Sequence, residues 1–156
     1  MASNRILIYL LAVMTLIVSC DDKVILSDEK TIGNIVLTAT VESMDETNGI
    51  DITYKISTKD SIYVLEYGIK DQQRYLDRIY YFSYQVENDF WLEYDGVQQR
   101  CVGAIFERNY KLTNDIILHL HFDYPEKMSE TGQFLLTYYA KEFNFPPVKM
   151  LFHPKK

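Results

Sequence analysis

The run His119-Leu120-His121-Phe122-Asp123 is where residue type and spacing come closest to chemistry. Side chains on an extended strand alternate between faces, so His119, His121 and Asp123 project together while Leu118, Leu120 and Phe122 point the other way. Two imidazoles at that spacing can chelate zinc, with the carboxylate as third ligand and a water as fourth, the arrangement a metal-dependent hydrolase would use. The same alternation also describes the solvated face of an outer sheet with polar partners across. A lone His-x-His is a weak motif, and no second cluster of ligands accompanies it. The expectation is no metal and no cofactor, with these three residues kept as the metal candidates.

Other routes to catalysis find less support. Asp21-Asp22, and Asp71 near Asp77, are carboxylates on a tether or loop, whereas a general acid needs an apolar pocket that raises its pKa. Glu66, Glu93 and Glu107 fall in strand-like runs, where an outward position explains each. The chain has no GxSxG, HExxH, Gly-rich phosphate loop or DxDxDG calcium loop. A thiol nucleophile would need a base beside Cys101, and the run RCVGAIFE reads instead as a strand that buries it as a small hydrophobe. The protein is therefore expected not to be an enzyme.

Aromatic residues are the stronger lead. Read as a strand, RIYYFSY sets Tyr80, Phe82 and Tyr84 on one face and Tyr81 on the other, and Trp91 stands opposite in parity to Phe90, Leu92 and Tyr94. One set makes a core, while the other needs a covering layer or a partner. Tyr and Trp are the common anchors of interfaces. Tyr80, Tyr81, Phe82, Tyr84 and Trp91 are accordingly the candidate binding residues, able to stack a glycan or pack on a protein.

Period-two alternation supplies the elements that must position them. Ile35, Leu37, Ala39 and Val41 alternate with polar residues, and so do Ile50, Ile52, Tyr54 and Ile56, with Asn48-Gly49 between them as a hairpin signal. IYVLEYGIK (62–70) reads as a further strand, and Ile79–Val86 is β-branched and aromatic enough to favour one. FWLEYDG pairs with RCVGAIFE, and DIILHLHFDY pairs with QFLLTYYAKEF. Pro146-Pro147 interrupts the last strand, and Val148, Met150 and Phe152 then resume alternation, either folded back as an edge strand or added to a partner's sheet. About eight strands with frequent turn signals and no long amphipathic helix predict an all-β, antiparallel immunoglobulin-like β-sandwich, with a small β-barrel as the alternative.

Composition narrows the partners. The formal net charge of −6 and pI near 5.0 provide no footprint for nucleic acid and no basic face for anionic lipid. Thirteen tyrosines and eight phenylalanines are ample for one core and leave aromatic area for a surface.

The chain opens with Arg5, an apolar run from Ile6 to Val18, and then Ser19-Cys20-Asp21-Asp22. A positive start and an apolar stretch of about a dozen residues describe a secretory signal, and the stretch is short of the roughly 20 residues that cross a bilayer. Ile17-Val18-Ser19-Cys20 resembles the lipobox of bacterial lipoproteins. The resemblance implies cleavage before Cys20, a diacylglycerol thioether on Cys20, and acylation of the freed amine by a palmitate-type chain. It leaves Cys101 as the one cysteine of the fold. Asp21 and Asp22 resemble the surface-export signal of Bacteroidota-type lipoproteins, whereas in enterobacteria an aspartate there implies inner-membrane retention. The expected organisation is a cleaved signal (1–19), a lipidated tether (20–30) and a sandwich domain (31–156). The location is the bacterial envelope, most simply the outer membrane. In size, anchor and strand pattern the chain also resembles small sandwich lipoproteins that serve as accessory parts of envelope-spanning assemblies, including secretion machines. That resemblance implies a protein partner; a surface glycan or peptide binder is the alternative.

Overall fold

Alternation along the chain becomes two stacked sheets in the computed structural model, which describes residues 26–45, 49–58, 72–107, 115–123, 133–143 and 145–153. One sheet contains β1 (Leu26–Ile32), β2 (Ile35–Asp45), β3 (Gly49–Thr58), β6 (Gly103–Glu107) and β7 (Ile116–Phe122), in the spatial order β1-β2-β3-β7-β6. The other contains β4 (Phe90–Tyr94), β5 (Val97–Arg100), β8 (Phe134–Tyr138) and β9 (Val148–Phe152), in the order β5-β4-β8-β9. All pairings are antiparallel. The protein is an all-β sandwich, and its two sheets stay separate instead of closing as a barrel.

The inward sets meet as expected from their spacing. Leu37, Ala39, Ile50, Ile52, Tyr54 and Ile56 from one sheet, and Phe90, Leu92, Leu136, Tyr138 and Met150 from the other, are all buried. Phe90 and Tyr138 stack at 4.4 Å, and Tyr54 meets both edge-on at 4.9 and 5.3 Å, so three rings bridge the two layers. This offset and edge geometry is favoured by the ring quadrupoles beyond the area buried.

Turn chemistry sets the register. Asp95 and Gly96 both have positive φ, 46° and 77°, and close a two-residue hairpin between Tyr94 and Val97, which the Asp-Gly pair suits. Gly49 opens β3 at φ 93°; a Cβ there would lie 2.4 Å from the Phe122 carbonyl oxygen and 2.9 Å from His121 Cε1. Only glycine fits that approach. Between Val41 and Ser43 the β2–β3 ladder slips by one residue, a bulge that brings Ser43 opposite Asp51.

Several expectations are corrected. Ile79–Val86 is not a strand: Gln72–Tyr84 is a 13-residue helix, α1, followed by a 3-10 turn at Val86–Asp89. In α1, the adjacent Tyr81 and Phe82 both point to the core, joined by Val86 four residues beyond Phe82 in the following turn, which strand alternation would not produce. The Gln73–Asp77 bond (2.8 Å) and the Tyr80–Tyr84 ring pair are both i, i+4 contacts that only a helix makes. RCVGAIFE is divided at Cys101-Val102: β5 pairs with β4, and β6 belongs to the opposite sheet. At the crossing, Cys101 N–H donates to Phe90 O in one layer and Val102 N–H to His121 O in the other. DIILHLHFDY and QFLLTYYAKEF likewise lie in opposite sheets, β7 beside β3 and β6, β8 beside β4 and β9. Leu26–Lys30, assigned to the tether, is strand β1, bonded rung by rung to β2. The C-terminal segment folds back as an edge strand on β8, and Leu151 N–H donates to Asp28 Oδ2 at 3.1 Å, linking β9 to β1. Cys20, Asp21, Asp22, Asn48, Asp71 and the 62–70 stretch lie outside the described residues.

Candidate functional site

His119 and His121 stand on the outer face of β7, as alternation requires, and together with β3 and β6 they line a groove of about 440 Å³. Register decides their neighbours: His121 is opposite Asp51 and Gly103, and His119 is opposite Thr53 and Ile105. The bare Cα of Gly103 and the outward Ile105 of β6 form one wall, and Glu42, carried outward by the bulge, contributes to the rim.

The two imidazoles are held separately. His121 Nδ1 is 2.7 Å from Asp51 Oδ1, and Asp51 Oδ2 accepts the Ser43 hydroxyl at 2.7 Å. Burial raises the Asp51 carboxyl, but the bonds from His121 and Ser43 outweigh it, so the carboxyl titrates below its usual range. His119 Nδ1 pairs with Thr53 Oγ1 at 3.2 Å, and its Nε2 lies 3.4 Å from Glu107 Oε2. Asp123 is exposed beyond the end of β7, and its main-chain carbonyl accepts from Gln99 Nε2 at 2.7 Å. Among the described residues, no group of three or more His, Cys, Asp or Glu side chains is placed to hold a metal ion. The face is thus a row of cross-strand polar pairs beside a groove.

The five aromatic candidates are split between environments. Phe82 and Tyr81 are buried, Phe82 against Phe106 and Phe143 at 5.6 and 6.2 Å. Tyr80 and Tyr84 are 56% and 64% exposed on α1, their ring centroids 5.2 Å apart. Trp91 is half-buried on the outer face of β4, with the Arg100 guanidinium 4.9 Å over its ring, a cation–π contact set by their direct cross-strand pairing. The candidates therefore make two surfaces, the helix pair and the Trp91–Arg100 pair, and not one platform.

Cys101 is buried at the crossing between sheets, its Sγ 3.0 Å from Gly103 O and 3.4 Å from His121 O. Burial pushes its thiol up to about 11, away from the thiolate a nucleophile requires.

One polar cluster escaped the sequence altogether. Asp89, at the end of the 3-10 turn, is 2% exposed. Its Oδ2 accepts the Tyr81 hydroxyl at 2.8 Å, its Oδ1 accepts from Lys141 Nζ, and its main-chain carbonyl accepts Tyr139 N–H at 2.8 Å. Burial, and then the neighbouring Tyr138 and Asp89, hold the Tyr81 phenol far above its ordinary value, so it remains a donor. In sequence, Glu87-Asn88-Asp89 reads as an ordinary polar turn; only the fold of α1 back onto the sandwich buries its last residue. Comparison with family models, with curated proteins and with solved structures found no match.

Proposed function

We propose that this chain is a lipid-anchored protein of the bacterial envelope that acts by binding, as a scaffold or accessory component of a membrane-associated protein assembly. The observation that carries the reading is the lipobox-like Ile17-Val18-Ser19-Cys20 placed directly ahead of a sandwich whose first strand begins at Leu26. Two or more acyl chains give durable anchoring, where one would be marginal. Five residues separate Cys20 from Leu26, and such a link reaches about 20 Å at full extension. The domain then works close to the bilayer, within reach of membrane-associated partners.

The outer faces support binding over catalysis. His121 and His119 are engaged in cross-strand pairs with Asp51 and Thr53, and Ile105 on β6 and Tyr80 and Tyr84 on α1 present exposed apolar area. Metabolic labelling with an alkyne fatty acid tests the anchor: the wild type takes up label and partitions into detergent, and Cys20→Ser does neither. Equal labelling of both ends the reading. In-cell crosslinking followed by mild-detergent capture tests the partner, and recovery of the lipoprotein alone counts against an assembly role. A surface glycan or peptide binder is the second reading, favoured by Trp91 with Arg100 on the outer face of β4. A Trp91→Ala variant that keeps every glycan or peptide interaction of the wild type removes it.

A further inference from the structure

We propose that Lys141 and Asp89 condense into an intramolecular isopeptide bond between Lys141 Nζ and Asp89 Cγ. The placement is built by the β4–β8 ladder. Phe90 is opposite Tyr138, Tyr139 N–H donates to Asp89 O one rung further on, and Lys141 follows in a short 3-10 turn. A rigid backbone thereby brings together an amine and a carboxyl 52 positions apart in sequence. Where such holding also sets the amine nitrogen against the carbonyl carbon, effective molarities reach about 10⁵–10⁸ M.

The surroundings suit condensation. Asp89 is 2% exposed, among buried Tyr81, Val86, Phe90, Tyr138 and Ala140. The Lys141 side chain is 71% exposed, so the departing water has a path to solvent. Tyr81 donates to Oδ2, the oxygen on which negative charge collects when the carbonyl carbon becomes tetrahedral.

The steps balance. The ammonium proton passes to Asp89 Oδ1, giving a neutral amine and a neutral carboxylic acid. The Nζ lone pair attacks Cγ, and the C=O π pair moves onto Oδ2, held by the Tyr81 O–H. A second Nζ proton goes to the Oδ1 hydroxyl, the Cγ–Oδ1 bond breaks, and water leaves. Oδ2 re-forms the carbonyl of a secondary amide. One positive and one negative charge disappear together, and no oxidant or cofactor is used. The product is a covalent link across the central pair of the second sheet, in a fold whose described cysteine is a buried free thiol.

Tryptic digestion of the denatured full-length protein, with tandem mass spectrometry, tests this without depending on the anchor. Trypsin cuts after Arg78, Arg100, Lys127 and Lys149. The expected product is a branched peptide joining 79–100 to 128–149, uncut at Lys141, with the summed mass of the two less one water. Fragment ions place the branch at Asp89 and Lys141. Recovery of 79–100 as a linear peptide, with complete cleavage after Lys141, overturns the proposal and leaves an ion pair. Loss of water within a linear 79–100, as a succinimide at Asp95-Gly96 would give, also overturns it.

Discussion

Replacing Gly49 by alanine measures how tightly the β2–β3 connection is pressed against β7. Among the described residues three glycines have positive φ, and two of them, Gly33 (59°) and Gly96 (77°), have no described atom within 4 Å of an added Cβ. At those two positions alanine meets only the left-handed backbone penalty, about 1–2 kcal/mol. At Gly49 the same penalty applies, and the Cβ would lie 2.4 Å from the Phe122 carbonyl oxygen and 2.9 Å from His121 Cε1. Relief requires moving the end of β3 from β7 and turning the His121 ring off Asp51. The first loses a ladder hydrogen bond worth about 1 kcal/mol, and the second a half-exposed bond to a carboxylate worth about 0.5–1 kcal/mol. Gly49→Ala is therefore expected to cost about 2.5–4 kcal/mol in all, against about 1–2 for Gly33→Ala and Gly96→Ala. Urea unfolding followed by the fluorescence of Trp91, the chain's one tryptophan, gives all three values from the same probe. In thermal scans the Gly49 variant should melt about 10 °C below the wild type. Equal losses at the three glycines would refute the close approach; a Gly49 variant within about 0.5 kcal/mol of wild type would also refute the positive φ.

Further outcomes follow from the same geometry. Tyr54 is fully buried and its hydroxyl has no hydrogen-bond partner among the described residues, so Tyr54→Phe should be neutral or stabilising by about 1 kcal/mol in the same urea assay. The Asp51 carboxyl titrates below its usual value of 3.8, so its stabilising contribution is present above that pH and is lost as pH falls through the depressed folded value; Asp51→Asn should lower Tm at neutral pH, with the gap to wild type closing under strong acid. For Cys101 the sign is opposite: the protonated thiol's contribution is intact below its ordinary 9.0 and is lost as pH rises towards about 11. Iodoacetamide should modify the native protein slowly at pH 8, and fast modification there would contradict the burial. Truncating Asp89 to alanine leaves the Tyr81 hydroxyl only the longer contact to the Tyr138 hydroxyl, at 3.5 Å, and should cost about 1–3 kcal/mol in the urea assay.

What the sequence revealed depended on how local each cause was. Ile50, Ile52, Tyr54 and Ile56 could be assigned to the core because period two is a property of the strand itself. Asp95-Gly96 could be placed as a turn because its φ values suit that dipeptide. Tyr80 to Tyr84 was misread because aromatic residues suit strands and helices nearly equally once a core is available, so contact with Phe106 and Phe143 decided. His119 and His121 were correctly placed on one face, but their partners Asp51, Ser43 and Thr53 come from a register that includes a bulge, which no short window displays. Asp89 was missed for the same reason, since its burial is produced by two distant elements. Pairing β7 with β8 failed because adjacency in sequence was taken for adjacency in a sheet.

The β1–β2 ladder has a mechanical consequence. Its turn lies at Gly33-Asn34 and its open end at Leu26, so a pull applied to Leu26 along the strand axis loads the ladder lengthwise. All seven registered pairs, from Leu26–Val41 to Ile32–Ile35, then resist together in shear, where a sideways pull would peel them one at a time. Asp28 adds a lateral tie to β9, so the two edge strands share the load. The end of the fold nearest the proposed anchor is the end best arranged to be tugged.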